Sequence, residues 1–134
     1  MAKAGQMLHA SIMWAGRASV EPTREQSFLL FAIALEAIVL PKQGQELSYR
    51  LALRVARLLG RSSKSRHEIL ETTKKLYDVR SKIVHSGSYE VTDENLARLR
   101  SVVLTVLIRL LRRRKLWRMS PDQLHDWWEG VVSR

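Results

Sequence analysis

Residues 76–87 read LYDVRSKIVHSG. Their apolar members continue a stripe that begins upstream: Ile69, Thr73, Leu76, Tyr77, then Ile83 and Val84. That is the three-, four- and seven-residue spacing of a core-facing helix. Arg80 falls in register with the stripe, between Leu76 and Ile83. A charge on a buried face is costly unless it is paired or serves a function. The stretch therefore predicts a helix packed on one side, with a polar group set into its packing face.

Working outward, the chain reads as helices joined by short connections. A first segment over about 6–19 carries Leu8, Ile12 and Trp14. Thr23 with Gln26 has a capping-box pattern and opens a second helix over 24–40, which stops at Pro41. A third runs over 45–59 with Gly60 as its C-terminal cap. Ser65 with Glu68 predicts the start of the fourth, which ends near His85 before SGS at 86–88. Thr92 caps a fifth over 93–114, with Leu96, Leu99, Val103, Val106 and Leu110 along one face. SPDQ at 120–123 starts a last short helix, because proline suits the first turn. Strand signals are nearly absent; only 88–92 reads as extended. Long amphipathic helices with short links predict an all-α fold, an antiparallel bundle of about five to six helices. The whole of 1–134 reads as one domain, with 115–134 as a C-terminal helical extension.

With 46% hydrophobic residues the chain can bury a core and is not a disordered tail. It has no cysteine, which excludes disulfides and thiolate metal sites and suits a reducing cytoplasm. The N-terminus lacks the uninterrupted apolar region of a signal peptide. The longest apolar run, 28–40, is too short to span a bilayer and contains Glu36. A cytoplasmic protein without a membrane role is expected. Lysine and arginine outnumber acids 23 to 13, for a net charge of +10. Such an excess draws polyanions by steering and counterion release.

Glu36 is the only charged residue between Ser27 and Leu40. Like Arg80, it stands alone in an apolar helix, and two misplaced opposite charges in one bundle are expected to meet or to line one polar pocket. His85 lies five residues after Arg80, about 140° round an ideal helix. The two converge only if the helix unwinds near its end or a second subunit supplies one of them. Alternatively, His85 is a favourable cation in the last turn.

Basic residues gather in two further places. Arg50, Arg54, Arg57 and Arg61 form a stripe beside Leu47, Leu51, Val55 and Leu58, and arginine's planar fork suits phosphate. RLLRRRKLWR at 109–118 places six cations within ten residues, among them Arg112, Arg113, Arg114 and Lys115, more than a helix C-terminus needs. Both are candidate nucleic-acid contacts, with Lys82 beside the Arg80 motif as a third. Trp117, Trp127 and Trp128 can stack on unpaired bases, although packing of the terminal helix is the favoured reading. No metal signature is present: the four histidines are scattered. The six glycines are dispersed, so no phosphate loop is present either.

The segment 76–85, LYDVRSKIVH, resembles the signature of HEPN domains, in particular the Apea-like HEPN group: arginine, four to six residues, then histidine at the end of a helix in a small bundle. Upstream, 28–38 is similar to that group's earlier helix, with ALEA at 34–37 carrying its acidic position; Trp14 with Arg17 and Ala18 fits its lead-in. The likeness covers about residues 8–112, and departs from the group where Ser86 separates His85 from Gly87. It implies a metal-independent endoribonuclease without cofactors, a toxin or antiviral effector, commonly a homodimer and a possible target of an antitoxin or regulatory protein. On that reading His85 is general base or acid at the ribose 2′-hydroxyl. Arg80 stabilises the developing phosphorane charge, Ser81 holds the substrate, and Glu36 orients Arg80.

Two other readings remain. The same fold without catalysis binds RNA, a nucleotide or a partner protein. VARLLGRSSKSRHEIL at 55–70 superficially resembles a DNA-binding helix-turn-helix, but has arginine at 61 and 66 where that motif wants small apolar residues.

Overall fold

Six α-helices and one 3₁₀ turn make up the computed structural model, which describes residues 3–42, 47–87 and 89–133, Leu47 by its backbone alone. The helices are α1 (Ala4–Ser19), α2 (Arg24–Val39), α3 (Leu47–Leu59), α4 (Ser63–Ser86), α5 (Asp93–Leu111) and α6 (Pro121–Val132), with the 3₁₀ turn at Arg114–Arg118. No strand occurs among the described residues. The all-α bundle expected from the sequence is what the chain forms. None of its helices is long and apolar enough to cross a membrane, among the described residues.

Local signals set most of the boundaries. Thr23 caps α2, its hydroxyl accepting the Gln26 N–H at 3.2 Å. Thr92 caps α5 in the same way, through Asn95 at 3.1 Å. Ser120 and Gln123 form a reciprocal box at the start of α6, with Pro121 in its first turn. The fourth helix starts earlier than Ser65. Ser62 accepts the Ser65 N–H at 3.1 Å, and the Ser65 hydroxyl accepts the Ser62 N–H at 3.0 Å. A serine hydroxyl thus does at the third position what glutamate or glutamine usually does. The fifth helix stops at Leu111, and the cations after it ride on a turn and the 3₁₀ segment. The start expected for the third helix, at 45, lies outside the described residues, as does Ser88 in the extended stretch.

Helix α2 is apolar over most of its surface because neighbours cover it on several sides. It packs against α1, α5, α3 and α4, and buries Phe28, Phe31, Leu35, Ile38 and Val39. α1 and α2 form one hairpin and α3 and α4 another, as connections this short require. The C-terminal segment is integral to the core: Leu116, Leu124, Trp128 and Val131 are all buried in it. Trp128 is fully enclosed and donates its Nε1–H to the Ile38 carbonyl at 3.0 Å.

Candidate active site along α4

Arg80 and Glu36 meet across the α2–α4 interface. Arg80 donates through Nε to Glu36 Oε2 at 2.8 Å and through Nη2 to Oε1 at 3.0 Å. This two-pronged arrangement is one that lysine cannot make. The side chains are 28% and 20% exposed, so the pair is shielded but reachable. Nη1 of Arg80 has no hydrogen-bond partner among the described residues.

Tyr77 completes the cluster. Three residues before Arg80, it shares that face of the helix, and its hydroxyl lies 3.1 Å from Glu36 Oε2 and 3.4 Å from the Ala32 carbonyl. Burial first, and then the Glu36 carboxylate, push the phenol's pKa well above its usual range, so Tyr77 stays a neutral donor. From sequence it reads as one more member of the apolar stripe. The available signal was its three-residue offset from Arg80, combined with a phenol that can donate.

Helix geometry explains the other exposures. Taking buried Leu76 as the inward direction, Ile83 is rotated from it by about 20°, Arg80 by about 40° and Val84 by about 80°. Ile83 is accordingly buried and Arg80 half-buried, whereas Val84, expected in the stripe, is 56% exposed although Tyr77, about 100° from Leu76, is buried, so angle alone does not set its exposure. His85 points about 180° from Leu76. It is exposed, as are Ser81 and Lys82; Ser81 lies one turn before His85 on the same outer face. The helix stays regular to Ser86, where Gly87 (φ 71°) closes it with an N–H to the Ile83 carbonyl at 2.8 Å. No unwinding carries His85 round to Arg80. One chain therefore assembles Glu36, Tyr77 and Arg80 but leaves Ser81 and His85 on another face.

No family model matches this chain, and no curated protein or solved structure matches it either. The chemistry of its side chains has to carry the functional reading.

The basic stripe of α3 is broken at its second member. Arg50 and Arg61 are exposed and Arg57 is half-buried, but Arg54 is 1% exposed and is no surface contact for nucleic acid. Helix α6 packs on that face of α3. Beneath it, Arg54 Nη1 donates to the Val39 carbonyl at 2.7 Å, while Nη2 lies 3.1 Å from Glu129 Oε1 and 3.2 Å from His125 Nδ1. Burial lowers the Arg54 pKa, an effect that Glu129 opposes and Arg50 reinforces. Lys82 sits on the surface, with Nζ 5.3 Å from the Tyr89 ring centroid.

Beyond α5, Arg112, Arg113, Arg114 and Lys115 are all exposed, whereas Arg109 is half-buried and donates to the Leu58 carbonyl at 3.3 Å. In the 55–70 stretch, Arg66 folds back over the turn, its Nε donating to the Gly60 carbonyl at 3.3 Å. Among the described residues no three His, Asp or Glu side chains gather as a metal-binding group.

Proposed function

We propose that this chain is a metal-independent endoribonuclease of the HEPN type, acting as a homodimer. The observation that supports it most is the Arg80 guanidinium, locked by two bonds to Glu36 yet partly exposed with Nη1 unbonded, on the helix whose last turn displays His85. In this reading His85 removes the proton from a ribose 2′-hydroxyl as that oxygen attacks the adjacent phosphorus. The O2′–P bond forms, the P–O5′ bond breaks, and the leaving 5′-oxygen takes a proton from water. The products are a 2′,3′-cyclic phosphate and a 5′-hydroxyl. Arg80 donates through Nη1 to the phosphorane oxygen. Ser81, on the His85 face, holds the substrate, while Glu36 and Tyr77 keep the fork aimed. Since Arg80 and His85 occupy different faces of a regular helix, a complete site joins Arg80 of one copy with His85 of the other. Unrestrained RNA cleavage harms its host, so a cytoplasmic toxin or antiviral effector, held by an antitoxin or regulatory protein, is the setting this activity implies.

A second reading has its own observation. Glu36 neutralises the Arg80 charge and occupies two of its three nitrogens, as in a structural ion pair. A helical module that binds RNA, a nucleotide or a partner protein without cleaving would look the same. Incubation with total cellular RNA in EDTA separates the two. Cleavage by the natural chain but not by His85→Ala, with cyclic phosphate ends, is the expected result. Intact RNA, retained equally by both proteins, would leave the binding module.

A further inference from the structure

The turn that follows α5 shapes a second site. Arg112, Arg113, Arg114 and Lys115 line an open pocket of about 410 Å³ together with Leu116, Met119 and Trp127. Among the described residues no carboxylate lines it. The volume lies in the range of small-ligand sites.

The walls are held rigidly. Trp127 meets Trp128 edge-on, with ring centroids 5.0 Å apart at 71°, and Trp128 is itself fully buried and bonded to Ile38. The turn is strapped from beneath by α1: the Ala4 N–H donates to the Met119 carbonyl at 2.8 Å. Gly5 lies so close that a Cβ there would stand 3.0 Å from the Trp117 carbonyl oxygen. Leu116 anchors the same turn in the core. Two guanidinium groups sit over indoles, Arg113 at 5.7 Å from the Trp127 centroid and Arg114 at 5.9 Å from that of Trp117, which is 38% exposed.

Cations alone would make a generic polyanion patch. An aromatic face fixed among four of them meets the two demands of an unpaired nucleotide, stacking for the base and donors for the phosphate. We propose that this pocket binds one nucleotide of a single-stranded RNA, with the base on Trp127 in the place that the Arg113 guanidinium holds in the free chain, and its phosphates on Arg112, Arg114 and Lys115. The choice of RNA rests on the ribonuclease reading; the pocket chemistry does not. The site is also remote from the Arg80 motif. It lies past the C-terminal end of α5, whereas α4 delivers His85 toward the N-terminal end, and the 19 residues of α5 span about 28 Å. A stacked strand covers that distance in about eight nucleotides at about 3.4 Å each. The pocket is an anchor for a strand, not a place of chemistry.

The test uses the full chain and a 12-mer of 2′-O-methyl oligouridine, which has no free 2′-hydroxyl and cannot be cut. Titration is followed by tryptophan fluorescence and by anisotropy of an end label, beside an equally long inorganic polyphosphate. Binding should quench the fluorescence, and Trp127→Leu should weaken oligouridine binding roughly 5- to 150-fold while Trp127→Phe retains most of it. Polyphosphate binding should be indifferent to Trp127. Replacing Arg112, Arg114 and Lys115 by alanine changes only exposed side chains, so it tests the pocket even where a tryptophan variant fails to fold. It should flatten the salt dependence of oligouridine binding by about 2 in log–log slope. Oligouridine affinity unchanged in a folded Trp127→Leu protein, or unchanged in the triple variant, overturns the proposal. Failure of the ribonuclease reading is visible separately: RNA left uncut by a chain whose oligouridine binding still needs Trp127 sinks catalysis and keeps the anchor.

Discussion

Glu36 receives both prongs of the Arg80 fork, Nε at 2.8 Å and Nη2 at 3.0 Å, and with Tyr77 forms the one polar cluster that ties α2 to α4 through three side chains among the described residues. Removing Arg80 leaves the half-buried Glu36 carboxylate with only the Tyr77 hydroxyl, and removing Glu36 leaves the guanidinium without its counter-charge. Arg80→Ala and Glu36→Ala should each lower stability by about 1–3 kcal/mol in urea denaturation. Arg80→Lys should recover little, because a single ammonium cannot occupy both carboxylate oxygens. In a double-mutant cycle the pair should couple by at least about 0.5 kcal/mol. Simple additivity would show that the contact contributes no stability.

Tyr77 makes the fold sensitive to alkali. In the unfolded chain the phenol ionises near pH 10, and in the folded chain its pKa is well above that. Below about pH 10 both states keep the proton, and the Tyr77 contribution is complete. Above it the unfolded chain loses its proton first, so stability falls by about 1.4 kcal/mol per pH unit until the folded-state pKa is passed. Urea midpoints measured from pH 9 to 12 should drop less steeply for Tyr77→Phe than for the natural chain. Equal slopes would place the phenol in an ordinary environment.

Arg54 and its neighbours on α3 should behave oppositely. Arg54→Ala opens a cavity under α6 and strands the Val39 carbonyl, costing about 2–4 kcal/mol. Arg50→Ala and Arg61→Ala should leave the melting temperature unchanged and weaken RNA retention, each reducing the salt slope by about 0.7. Retention assays across a salt series, with melting curves alongside, check both halves.

Two glycines are needed for different reasons. At Gly60 a Cβ would lie 2.8 Å from both the Ala56 oxygen and the Arg66 Cα, backbone atoms that cannot swing aside. Gly60→Ala should therefore cost about 1–3 kcal/mol through forced movement of the α3–α4 turn. Gly87 has open space around it but a φ of 71°, so Gly87→Ala should cost about 1–2 kcal/mol from backbone strain alone. Thermal melts of the two variants, with their helical content, check this.

What was legible in the sequence was mostly local. Amphipathic spacing gave six helices, and Thr23, Thr92 and Ser120 marked three starts, because cap and helix lie within one turn of each other. Glu36 and Arg80 were legible as a pair because each was a lone charge in an apolar run. Arg54 was not. Its spacing from Arg50 and Arg57 suits a solvated stripe, and only the return of α6, some seventy residues later, covers it. Val84, in the last turn of the 24-residue α4, was misplaced because spacing gives the angle of a side chain and not whether a neighbouring element covers it. The Ser62–Ser65 box escaped because its third-position partner is a serine. The relation of His85 to Arg80 followed from their five-residue offset once the helix proved regular to its end.

A site built from one Arg80 and the other copy's His85, as proposed above, can be restored by mixing two inactive chains. Arg80→Ala and His85→Ala proteins are each assayed on RNA in EDTA, then combined, allowed to exchange subunits, and assayed again. Each alone should be inactive. Random exchange of a symmetric dimer gives half heterodimers, each with one intact composite site, so the mixture should recover about a quarter of the natural activity. A mixture as inactive as its parts, beside an active natural chain, would contradict the composite site.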